Sequence, residues 1–178
     1  MKGILFVEFV DFLENKLGED HTQELIDDAN LDSGGAYSRV GQYDYQEMIQ
    51  LLTMAASKSG EQADVLLKEF AEHIFRVFNR DYSDFFKEIN SGVEMLKTVD
   101  DHIHVEVRKL YPDAELPKFT YQEDGQQLLL HYRSPRPLAT IAEALLKACL
   151  KHFGSTEKLI VSDIAEDQKS ARFVISKN

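Results

Sequence analysis

The stretch Phe119-Thr120-Tyr121-Gln122-Glu123-Asp124-Gly125-Gln126-Gln127-Leu128-Leu129-Leu130-His131-Tyr132 decides the fold. Phe119 and Tyr121 alternate with polar residues, the two-residue period of a half-buried strand, and Asp124-Gly125 favours the tight turn of a hairpin. A second apolar run then ends at Tyr132. Before Pro112 the apolar spacing is three or four residues instead, so the period changes once, at a residue that cannot continue a helix.

Toward the N-terminus everything reads as helix. Leu5, Phe9, Phe12, Leu13 and Leu17 give an amphipathic helix over 4–18, and a short one over 21–29 follows. Asp32-Ser33-Gly34-Gly35 opens a loop rich in tyrosine. Asp44 is an N-cap for a helix over 45–57 that Gly60 closes. Val65, Leu66, Phe70, Ile74, Val77 and Phe78 mark a long helix over 61–79, and Ser91 caps a further one over 91–111. Toward the C-terminus a helix over 138–153 and strands over 158–164 and 171–176 complete the chain. The fold class is α+β: a helical N-terminal half, then an antiparallel sheet of about four strands with one inserted helix.

A chain of 178 residues, 43% of them hydrophobic, suits a single domain. Its net charge of −11 argues against nucleic acid or an anionic membrane surface as a partner, since both demand a basic face. One cysteine, Cys149, leaves no internal disulfide and no cysteine-rich metal site, and the apolar start is broken by Glu8 and Asp11 before a signal sequence could form. A reducing, cytoplasmic setting is expected.

Two groups of residues carry chemistry. Tyr132, Ser134 and Arg136 alternate, so on a strand two hydroxyls and a guanidinium share one side, a donor set that suits a carboxylate or phosphate. On its own this spacing is weak and reads as an ordinary half-exposed strand ending. The helix over 91–111 holds His102 and His104, which fall on nearly opposite faces; Leu96, Val99, Ile103, Val107 and Leu110 define its buried stripe, and His104 lies beside it. Such an imidazole is either a boundary histidine bonded to a backbone carbonyl or the single protein ligand of a haem iron. The acidic pairs Asp100-Asp101, Glu19-Asp20, Asp27-Asp28 and Glu166-Asp167 read as solvated. No Ser-His-Asp arrangement, nucleotide-binding glycine loop or H-E-x-x-H motif is present, so nothing points to an enzyme.

Taken together, the Met1-Lys2-Gly3 start, the segment Ile103-His104-Val105-Glu106-Val107-Arg108-Lys109-Leu110-Tyr111-Pro112 and Tyr132-x-Ser134-x-Arg136 resemble the haem-nitric oxide/oxygen binding (H-NOX) domains of bacteria and of soluble guanylate cyclase, over essentially the whole chain. The resemblance implies haem b as cofactor, buried between the helical half and the sheet half, with a helical subdomain over about 1–60 and the haem-ligating helices plus sheet over about 61–178. It implies His104 as the proximal iron ligand and Tyr132, Ser134 and Arg136 as the propionate clamp. Leu5, Phe9, Pro117 and Leu145 would pack the porphyrin, and Asn79 would occupy a further pocket position. Some relatives hold a zinc with cysteines; with Cys149 alone, none is expected here.

Oxygen-binding members place a tyrosine five residues beyond the clamp arginine, a position that falls on Ile141, and no Phe, Tyr or Trp lies in 137–150. A gap after Arg136 would move the position to Thr140 or Ala142. The expected ligands are therefore nitric oxide and carbon monoxide at ferrous iron, without a stable oxygen complex, because bound oxygen needs a donor that nitric oxide does not. The resemblance further implies a signal sent by release of His104 to a separate protein, a histidine kinase or a cyclic-di-GMP enzyme, since the chain ends soon after its last strand. The rival readings are a haem enzyme of the peroxidase type, disfavoured by the lack of a distal His or Arg on the later helix, and a haem-free interaction module of the same fold.

Overall fold

Helix α1 (Gly3–Leu17) starts at a glycine because nothing larger fits: a Cβ on Gly3 would lie 1.9 Å from the Ser38 carbonyl oxygen. The close approach lets the Gly3 amide donate to the Gly41 carbonyl at 2.8 Å, which ties the loop 30–44 to the start of the helix. Helices α2 (Glu19–Ala29) and α3 (Tyr45–Ser59) follow, the latter capped by Asp44, which accepts the Gln46 N–H at 3.0 Å. With the first turns of α4 (Ala63–Asp81) they form one of two units, Met1–Ile74.

This unit buries Phe6, Phe9, Leu13, Leu25, Leu51, Leu66 and Ile74. Two carboxylates are buried with them, each paired as such a group must be. Glu8, only 3% exposed, pairs with the Arg39 guanidinium and lies 3.4 Å from a ring nitrogen of His73. Glu47 accepts from the Ser33 hydroxyl at 2.6 Å and the Tyr37 hydroxyl at 2.8 Å, which holds the tyrosine-bearing loop down.

The second unit begins at Phe75, and the computed structural model describes residues 1–177 of the chain. Its sheet pairs β1 (Lys118–Asp124), β2 (Gln127–Arg133), β3 (Glu157–Ile164) and β4 (Ser170–Lys177), all antiparallel, in the order β1-β2-β4-β3. The β1–β2 hairpin turns at Gly125, whose φ of 59° is the left-handed conformation that favours glycine. Helix α7 (Ala139–His152) connects β2 to β3 and packs on β3, β4 and α5 (Gly92–Thr98). Leu128, Leu130 and Tyr132 of β2, Phe173 and Ile175 of β4, and Leu146, Cys149 and Leu150 of α7 fill the core. No described helix is long and apolar enough to cross a membrane.

Two elements differ from expectation. The helix over 91–111 is not one α-helix: α5 passes at Val99–Ile103 into a π turn, where the His104 N–H reaches back five residues to the Val99 carbonyl, and α6 (His104–Leu110) resumes the α geometry. One residue more per turn breaks the constant wheel on which the buried stripe rested. Leu96 is buried, but Val99, Ile103 and Val107 are half-buried and Leu110 is 50% exposed. Secondly, β2 stops at Arg133, so Ser134 and Arg136 lie beyond the strand. Pro135 and Pro137 offer no N–H for a ladder, and the Arg136 amide donates to the Ser134 hydroxyl at 3.0 Å in a local turn.

Candidate functional site

His104, at the start of α6, is 8% exposed, whereas His102 is exposed and its Nε2–H donates to the Phe85 carbonyl at 3.2 Å. The His104 Nδ1 lies 3.0 Å from an Asp100 carboxylate oxygen. Burial holds this imidazole below its ordinary range, and the Asp100 hydrogen bond only partly opposes that. A neutral ring bonded to an acceptor-only carboxylate carries its proton on Nδ1, which leaves the Nε2 lone pair available to a metal. Asp100-Asp101 is thus not a solvated pair: Asp100 is half-buried, and the oxygen that meets His104 also accepts the Phe119 amide at 3.3 Å. Its spacing of four residues from His104 was the available signal.

An aromatic chain connects the histidine to the hydroxyl and guanidinium groups. The His104 ring is 6.0 Å from Phe119, Phe119 is 5.3 Å from Tyr132, and Tyr132 is 6.5 Å from Phe173. Tyr132 is 2% exposed; burial raises its phenol pKa, while a Ser134 hydrogen bond and the Arg136 charge pull the other way. The three residues therefore converge, though by the turn after β2 rather than by strand alternation. The Arg136 fork already holds a carboxylate: it pairs with Glu115 and donates to the Glu115 carbonyl at 3.2 Å. An arginine placed to take one carboxylate has the geometry for another.

The remaining positions are more dispersed. Pro117 is half-buried just before β1, and Asn79 is half-buried near the end of α4. Leu138, Ile141 and Leu145 follow one another at helical spacing and are half-buried, while Ala142, Leu146 and Cys149 of α7 are buried. That helix thus has apolar side chains outside its sheet-facing side. Leu5 and Phe9 belong to the first unit, one turn apart on α1; Leu5 is half-buried and Phe9 is buried against Phe12 and Phe70. Among the described residues no group of three or more His, Cys, Asp or Glu could hold a metal ion. A metal on His104 would have to bring its other ligands with it, as a porphyrin does, and a porphyrin's carboxylates would in turn need donors such as Tyr132, Ser134 and Arg136. The donor set fits a haem.

The family model described as haem-NO-binding matches residues 2–160. The solved structure of an Fe(II) unliganded H-NOX protein from K. algicida is 38% identical, with 100% of this chain and 97% of that one covered and a TM-score of 0.88. An H-NOX from Shewanella woodyi, solved in the Fe(II)CO state, is 31% identical over 100% of this chain and 95% of that one, with a TM-score of 0.82. An H-NOX protein from S. oneidensis in the Fe(II)NO state is 24% identical over 100% and 99%, and its TM-score of 0.88 speaks for the fold alone. No curated protein matched the sequence.

Proposed function

The chain belongs to the haem-NO-binding family, a family of haem-based gas sensors rather than enzymes, and within it we propose a sensor of nitric oxide that also takes carbon monoxide and forms no stable oxygen complex. The observation that carries this reading is the convergence of a buried neutral His104, its Nε2 free, with Tyr132, Ser134 and Arg136 through Phe119. His104 would hold the iron of haem b. Arg136 would exchange Glu115 for a propionate, with Tyr132 and Ser134 as flanking donors. Asn79, Pro117 and Leu145 of the second unit would line the macrocycle. When bound, haem would supply an iron able to take a diatomic gas, with His104 as its protein ligand.

Discrimination between gases rests on Ile141, which offers a gas no hydrogen bond, while the Tyr132 hydroxyl would be taken by a propionate. Response would rest on His104: α6 begins at that residue, so a change in what its ring holds would be passed to α6 and its contact with Phe119. The acidic surface favours a basic patch on a cytoplasmic protein partner, a histidine kinase or an enzyme of cyclic-di-GMP turnover. Replacing Ile141 with Tyr tests the discrimination. The variant should hold oxygen in air-saturated buffer where the parent does not, and a parent that already holds oxygen stably would refute the proposal.

A further inference from the structure

Asp100 is not among the residues assigned above to haem or gas, yet it is the one side chain hydrogen-bonded to His104 among the described bonds. Three observations set it apart from the surface acids around it. Its Oδ1 is 3.0 Å from His104 Nδ1 and 3.3 Å from the Phe119 amide, so one oxygen is fixed by the helix on one side and by β1 on the other. It sits within the π turn Val99–Ile103, directly before the histidine, and π turns inside helices recur at functional sites. Its neighbour Asp101 is exposed, while Asp100 is half-buried behind the ring.

We propose that Asp100 is the positioning residue of the proximal histidine: its carboxylate fixes His104 as the Nδ1–H tautomer and strengthens the bond that Nε2 makes to iron. A carboxylate on the far side of a ligating imidazole draws the Nδ1 proton toward itself and makes Nε2 a better donor, and such partners also lock the orientation of the ring. The inference rests on the haem reading above and adds how firmly the histidine is held. Since the signal is release of that histidine, Asp100 sets how readily nitric oxide triggers it. The carboxylate opposes release.

Asp100→Asn is the informative variant, because the amide keeps an oxygen for Phe119 or His104 and removes the charge. In the ferrous protein its iron–histidine stretching band should move to lower frequency, and the nitric oxide complex should lose His104 roughly 10-fold faster than the parent. Asp101→Asn should leave both unchanged. A parent band that Asp100→Asn leaves in place, or that Asp101→Asn moves as much, would overturn the role of Asp100. A parent without any iron–histidine band would instead overturn the haem reading. A second measurement needs no haem: nitrogen-15 spectra of the His104 ring should show the Nδ1–H tautomer in the parent and a shift toward Nε2–H in Asp100→Ala. An Nε2–H ring in the parent would overturn the proposal however the variants fold.

Discussion

At the scale of single residues the site is a matter of which atoms are already committed. His104 commits Nδ1 to Asp100 and keeps Nε2; the Ser134 hydroxyl accepts the Arg136 N–H; the Arg136 fork is committed to Glu115. The difference between the two histidines was legible in the sequence, because two residues of helix reverse the face. Asp100 was not, because two adjacent acids ordinarily mean solvent, and only the i, i+4 spacing hinted otherwise. Replacing His104 with Gly should abolish iron ligation unless imidazole is supplied, and His102→Gly should leave the ferrous spectrum intact. An unaltered spectrum in His104→Gly would move the ligand elsewhere. Arg136→Lys keeps the charge but loses the fork, so haem should dissociate roughly 10-fold faster, measured by transfer to an acceptor protein.

At the scale of elements, caps and turns were the most readable signals, since each is a local contract between a side chain and a backbone group. Asp44, Ser91 and Asp124-Gly125 stand where their chemistry placed them. Ser91→Ala, which removes the acceptor 3.1 Å from the Glu94 N–H, should lower stability by about 1 kcal/mol in denaturant titration. The π turn at Val99–Ile103 left no such mark. It adds a residue to a turn without changing composition, and a wheel of fixed period cannot register it. The end of β2 was legible after the fact in Pro135 and Pro137; Ser134 and Arg136 are tied together because the chain turns there.

For the whole molecule the alternation of periods was enough to fix α+β with four antiparallel strands, because burial on one face leaves a regular imprint on sequence. It could not disclose the two units, Met1–Ile74 and Phe75 onward, because α4 runs through the boundary without a break in its pattern. The core of the second unit also makes a prediction about pH. Burial pushes the Cys149 thiol from its ordinary 9.0 up to about 12. Between those values the unfolded chain gives up this proton and the folded chain keeps it, so stability should fall as pH rises through that window. Cys149→Ala should flatten the fall; an unchanged slope would place the effect elsewhere.

In the proposed sensor, haem, histidine and a donor-free gas site act together. The absorption spectrum of the purified ferrous protein tests all three at once. It should show a Soret band that shifts on addition of nitric oxide, and in air-saturated buffer it should change only by oxidation. Protein purified from haem-replete cells without a Soret band, or a stable oxygen complex in air, would contradict it.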